Sequence, residues 1–352
     1  MYSKINIKFF KDMLFNYHDT ELVSFLEFGF PLSCEGNCTG LSEGKNHAGA
    51  RNYPDEMEKY LYKECTYGSI IGSFFKNPFQ TDIVISPLNS VPKRDSDERR
   101  IILDLSFGEF SESVNGHICK DSYMGNPIKV VYPSIDSLVE LIRIKGPGCQ
   151  CFKRDLKRAY RQIPCCPGDW HLVGFSWKGH IFFDRVLSMG LRSAAYICQR
   201  VTNSVAYIMD HHYRFQIINY LDDFAGCETP GKALHAYETL GQVLKYCGLE
   251  ESVSKAVPPS TSMVFLGILV DTISCTLSIT RDRLDEISAL VEDWLGRSRC
   301  SFKDLQSLLG KLHFVSSCVR PGRLFVSRLL TWLRTFHCQN ISKRIPNLLS
   351  WI

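Results

Sequence analysis

Two adjacent aspartates, Asp222 and Asp223, interrupt an otherwise apolar, β-prone run, Phe215-Gln-Ile-Ile-Asn-Tyr-Leu-Asp-Asp-Phe-Ala-Gly-Cys227. Apolar residues on both sides of a short polar step predict a β-hairpin that presents its turn. Like charges held side by side at the end of a packed hairpin raise each other's pKa unless a cation neutralises them. A turn with two solvated aspartates is the plain alternative. Asp155 weighs against it, because it closes a second strand candidate, Cys151-Phe-Lys-Arg-Asp155. Three carboxylates on neighbouring strand ends have the donor set to bracket two divalent ions. Such a pair stabilises the attacking and leaving oxygens of an in-line phosphoryl displacement. Mg²⁺, a hard ion completed by phosphates and water, suits that site, with Mn²⁺ as a substitute.

The rest of the chain is compatible with an enzyme of ordinary globular make-up. Its 352 residues are 45% hydrophobic and 22% charged, which excludes wholesale disorder. The net charge of +4 accommodates a polyanionic partner without requiring one. The 15 cysteines are scattered and odd in number, and they read as reduced thiols. Cys34, Cys38 and His47 have the chemistry of metal ligands but no second half-site at zinc spacing. The N-terminus mixes Lys4, Lys8, Lys11 and Asp12 into its apolar residues, and no apolar run approaches a membrane span, so an intracellular protein is expected.

Along the chain, residues 1–68 predict a loop followed by a helix through Met57, Tyr60, Leu61 and Cys65. Thr81–Leu88 and Arg100–Ser106 predict a hairpin with a long basic tip, and Cys151–Ile163 a strand running into a helix. Leu284, Ile287, Leu290, Val291 and Trp294 mark an amphipathic helix. Ser301 with Asp304 resembles a capping signature for the next, and Pro321-Gly322 separates a third.

In order and spacing, DLKRAYRQI (155–163), VLSMGLRSAAYICQ (186–199), YLDD (220–223), GLEESVSK (248–255) and FLGI (265–268) resemble the successive palm motifs of reverse transcriptases. GKNHAGARNYPDEMEKYLYKE, ISPLNSVPKRDSDERRIILDLS, SVNGHI and GKLHFVSSCVRPGR further resemble polymerases of DIRS-type retrotransposons, the elements that use a tyrosine recombinase. The similarity runs from about Gly29 to Trp332.

The resemblance implies an α+β right-hand polymerase fold, its palm an antiparallel sheet backed by helices. It divides the chain into an N-terminal extension (1–68), fingers (69–148), palm (149–272), a three-helix thumb (273–336) and the start of a connection (337–352). It further implies template-directed addition of dNTPs to a primer 3′-hydroxyl on an RNA or DNA template, with RNase H and recombinase supplied by other chains.

Asp155, Asp222 and Asp223 match the metal-binding triad, with the carbonyl of Leu156 an added ligand. Tyr160 matches the gate beneath the incoming sugar, although a core tyrosine would look the same in sequence. Lys93 and Arg100 match residues that close on the triphosphate, as charge-assisted contacts to phosphate favour. Gly190 matches the position where the backbone approaches the nucleotide and template, with Met189 an apolar wall for the nucleotide; Lys255 matches a lysine that protonates pyrophosphate, where a solvated lysine is the plain alternative, and Phe265, Leu266 and Gly267 match the primer grip. Lys311, Arg320, Arg323 and Arg328 are candidate nucleic-acid contacts on the C-terminal helices, where a solvated face is the plain alternative. The stretch Leu187-Ser-Met-Gly-Leu191 departs from the family's Leu-Pro-Phe-Gly-Leu, which predicts a softer loop. A catalytically silent nucleic-acid-binding relic is the competing reading.

Overall fold

A computed structural model describes residues 4–36, 38, 45–93, 98–108, 112–129, 132–319, 321–336 and 342–345. The chain divides into two compact units. The first comprises Met1–Pro133, Lys153–Gly226 and Leu234–Ala256, and the second Ser134–Phe152, Cys227–Ala233 and Val257–Ile352. Among the described residues no helix is long and apolar enough to cross a membrane.

In the first unit, the strand Ile70–Phe74 pairs antiparallel with His180–Asp184, which pairs in turn with Gly174–Trp177. Phe175, Phe183 and Ile70 fill the buried side of this small sheet. The expected basic-tipped hairpin forms between Leu88–Pro92 and Arg99–Leu103. It begins later than the sequence suggests, because Ile85 is taken by a lone parallel bridge to Gly174 instead. The acidic hairpin forms where its pattern places it, with Ile217–Tyr220 against Asp223–Glu228 and Tyr220 opposite Asp223. The helix Ala194–Tyr213 buries Ile197, Val201, Val205, Ile208 and Met209 at helical spacing.

Two expectations need correction. The helix expected after Asp155 is a single 3₁₀ turn, Ala159–Gln162, entered through Arg158 at φ 54°. The apolar spacing is real, since Leu156, Ala159 and Ile163 are buried. The turn is instead fixed by long-range ion pairs: Arg161 bonds Glu64 at 2.9 Å and Asp184 at 2.7 Å, and Arg158 bonds Glu64 at 2.6 Å. The N-terminal stretch is also more ordered than a loop. Helices Ile7–Met13 and Leu22–Phe28 precede Ala48–Arg51 and the expected Pro54–Thr66. Arg200 grips Asp19 through two bonds of 2.7 and 2.8 Å and fastens this stretch to the long helix.

The second unit holds an antiparallel sheet of Ser262–Phe265, Ile268–Asp271 and Thr276–Ile279, followed by the helices Arg281–Gly296, Phe302–Val315 and Gly322–Leu333. Trp294, Leu305, Leu308, Leu309, Val326, Leu329 and Phe336 form their common core. Ser301 and Asp304 make the anticipated capping box.

Candidate active site

The strand Gln150–Asp155 and the acidic hairpin bring the three aspartates together in the first unit. The Leu156 N–H donates to the Asp222 carbonyl at 2.9 Å, and the Ser252 N–H donates to the Asp155 carbonyl at 2.7 Å. Asp155 is only 5% exposed. Burial, followed by the hydrogen bond and charge of Asp223 beside it, pushes its carboxyl up to about 7. Burial and the neighbouring Asp223 charge also raise Asp222. Mutual destabilisation of this kind is what closely held carboxylates experience without a dication.

Among the described residues, no three His, Cys, Asp or Glu side chains are already gathered as a ligand cluster. Lysines answer the carboxylates instead. Lys153 Nζ lies 3.0 Å from Asp223 Oδ1, and Lys255 Nζ lies 3.6 Å from Asp155 Oδ1. Both of those oxygens are buried without a hydrogen-bond partner. Unsatisfied buried carboxylate oxygens that repel one another fit a hard divalent cation well.

The hairpin turn carries strain, since Leu221 sits at φ 52°, an unusual region for a side chain of its kind. A fully buried glutamine holds it there. Gln199 Oε1 accepts from the Leu221 N–H at 2.8 Å, while its Nε2 donates to the Asn219 carbonyl and to Asn203, each at 2.8 Å. Gln199 ends one of the motifs read in the sequence, but its role depends on a contact 22 residues away. Replacing Gln199 with Leu strands the Leu221 N–H and the Asn219 carbonyl at about 1–3 kcal/mol each. A fall in the unfolding midpoint is therefore expected, readable by thermal denaturation of the purified chain.

Tyr160 is half-buried, and burial, with Cys198 and Asp222 nearby, raises its hydroxyl pKa. Lys255 is set by the Glu250–Ser252 stretch, which is laced to Asp155, Lys157 and Gln162. Met189 and Gly190 adjoin the basic hairpin: the Leu103 N–H donates to the Met189 carbonyl at 3.2 Å, and a Cβ on Gly190 would lie 2.4 Å from the Leu103 carbonyl oxygen. With φ at +110° as well, that position admits glycine alone without strain. Buried Asn115, not singled out in the sequence, ties the same loop. It donates to the Gly190 carbonyl and accepts from the Arg192 N–H, both at 2.8 Å. The serine that replaces the family's proline is also tied, because the Ser188 hydroxyl donates to Asp184 at 2.5 Å, so the expected softness is offset.

Lys93 and Arg100 are exposed on the basic hairpin, and Lys93 pairs with Glu98. Leu156 is buried. In the second unit, Leu266 and Gly267, at φ 48° and 79°, form the two-residue turn after buried Phe265. Arg323 and Arg328 are exposed there, and Lys311 pairs with Glu286 at 2.9 Å. Arg320 lies outside the described residues. The described cysteines are free thiols. The Cys34 and Cys38 sulfurs lie 3.0 Å apart and His47 Nε2 bonds Asp104 at 2.8 Å; among the described residues the three are not gathered as a ligand cluster.

Solved structures share this fold. The chain is similar to a foamy viral protease-reverse transcriptase in complex with an RNA/DNA hybrid (TM-score 0.61, 18% identity, covering 98% of this chain and 44% of that one). Similar matches are the foamy viral protease-reverse transcriptase dRH in complex with ds DNA (TM-score 0.59, 18% identity, 91% and 55%) and the foamy viral enzyme in complex with dsDNA (0.60, 16%, 91% and 66%). The chain thus spans from under half to about two thirds of these proteins. No curated protein matches it by sequence. The profile of the family described as reverse transcriptase (RNA-dependent DNA polymerase) matches residues 91–270, half of the chain, and takes in the second strand of the basic hairpin and all three aspartates. With its α+β polymerase fold, this chain belongs to the reverse transcriptase family.

Proposed function

We propose that the chain is an RNA-directed DNA polymerase that adds dNTPs to a primer 3′-hydroxyl. The observation that carries this reading is the convergence of Asp155, Asp222 and Asp223, two of them with buried, unsatisfied oxygens. These carboxylates, with the Leu156 carbonyl, would hold two Mg²⁺ or Mn²⁺ ions. When bound, the ions acidify the attacking hydroxyl and neutralise charge on the triphosphate and its leaving group.

The chain's own residues do the rest. Gln199 fixes the turn, and with it the placement of Asp222. Lys255 supplies an ammonium beside the site, suited to protonating the departing pyrophosphate. Lys93 and Arg100 would draw the triphosphate to the basic hairpin, and Met189 with Gly190 would form the wall against the nucleotide. The turn Phe265–Gly267 would serve as primer grip, and Lys311, Arg323 and Arg328 would make phosphate contacts. Such contacts position a duplex rather than read its sequence.

The subdivision into fingers, palm and thumb and membership of the DIRS-type group belong to the same proposal, supported by the quoted motifs.

Mg²⁺-dependent extension of oligo(dT) on poly(rA) by the purified chain tests the reading. Incorporation of dTTP that EDTA abolishes is expected, and a protein that binds the hybrid yet extends nothing is the silent relic. Tyr160 gives a finer check. Its half-buried ring would collide with a ribose 2′-hydroxyl, so Tyr160→Ala is expected to lower dNTP-over-rNTP selectivity by about 10–200-fold in kcat/KM. An unchanged ratio assigns Tyr160 to the core alone.

A further inference from the structure

The ion pair between Lys153 and Asp223 is unused by the mechanism above. Lys153 stands two residues before Asp155 on one strand, so both side chains leave the same face. Only 19% of the Lys153 side chain is exposed, against 65% for Lys255, and its Nζ lies 3.0 Å from Asp223 Oδ1. A solvated lysine on a surface strand would have no cause to be drawn in this way. Here the carboxylates create one, because without a cation their charges are uncompensated in a partly dehydrated site.

We propose that Lys153 is a positioning residue that holds Asp223 in the metal-free site and sets the concentration at which a divalent cation enters. The proposal rests on the two-metal reading above. For Asp223 to ligate an ion, its Oδ1 must give up the ammonium, and a monovalent charge left close by opposes the incoming dication. Both effects weaken metal binding. In return the metal-free hairpin is kept from flying apart, since Asp223 and Asp155 each retain a counter-charge.

Removing the ammonium therefore has two opposite consequences. The metal-free protein loses stability, and the metal binds more tightly. One unit charge beside a dication in such a setting changes affinity by about tenfold or more. Lys153→Arg, which keeps the charge, separates this electrostatic role from mere packing.

Mn²⁺ is the probe, its free concentration read by electron paramagnetic resonance in titrations of the full chain without nucleotide. Lys153→Met is expected to bind Mn²⁺ about tenfold more tightly than the unsubstituted chain and to unfold at a lower temperature in EDTA, while Lys153→Arg stays near the unsubstituted values. Should the methionine variant fail to fold, Lys153→Gln gives the same comparison with a neutral donor. Equal Mn²⁺ affinity in the neutral variant and the parent overturns the role of Lys153. Asp222→Asn, run alongside, tests the underlying reading separately: Mn²⁺ binding identical to the parent in that variant would remove the metal site itself, and the proposal with it.

Discussion

Replacing Asp222 with Asn is expected to lower primer extension by at least about a thousandfold while leaving affinity for an RNA/DNA hybrid nearly unchanged. The magnitude follows from the placement of the residue. Asp222 sits in the turn of the acidic hairpin, its backbone carbonyl fixed by the Leu156 N–H. Asparagine keeps the size and the turn but removes the charge that would hold the metal, and losing one electrostatic contributor to a transition state commonly costs about 10²–10³ in rate. A hard cation that depends on few protein ligands loses more. In the proposed reading, hybrid binding would rest on phosphate contacts elsewhere and should persist. Single-turnover extension with a parallel filter-binding or anisotropy assay reads both quantities. A variant that extends at the parental rate would disprove the assigned chemistry.

The second large effect concerns stability. Arg161 is 7% exposed and joins Glu64, itself 3% exposed, to Asp184, 2% exposed. Arg158 reaches the same Glu64, and Ser188 the same Asp184. Removing one partner from such a cluster leaves uncompensated buried charge, and the cost is about 3–5 kcal/mol. Arg161→Ala is thus expected to destabilise the chain by that amount, a large share of the roughly 5–15 kcal/mol that holds a typical domain together. Denaturant unfolding monitored by tryptophan fluorescence measures it. A loss below about 1 kcal/mol would mean that the cluster is solvated in solution. Because Ser188 anchors the loop that carries Met189 and Gly190 to this cluster, the same substitution should also loosen the proposed nucleotide wall.

The parts of the molecule legible from sequence are those governed by local periodicity. The acidic hairpin, the helix through Leu284 and Trp294 and the capping box at Ser301 and Asp304 all form where residue spacing places them. The turn after Asp155 escapes such a reading because its apolar spacing suits a helix, whereas its shape is decided by Glu64 and Asp184, remote in the chain. The supports of the site are hidden for the same reason. Gln199, Asn115 and Lys153 are ordinary residues in isolation, and each acquires its role from a partner on another element. Asp222 and Asp223 are visible because they are adjacent and acidic amid apolar neighbours, and Asp155 because it closes a strand candidate. What holds them is not.

The most direct measurement is the position of Mn²⁺ in crystals of the chain grown with Mn²⁺ and a dNTP, located by anomalous scattering. The account predicts Mn²⁺ coordinated at about 2.1 Å by carboxylate oxygens of both Asp155 and Asp222, with Lys153 withdrawn from Asp223. Anomalous signal confined to other parts of the molecule, with both lysines still on their aspartates, would contradict it.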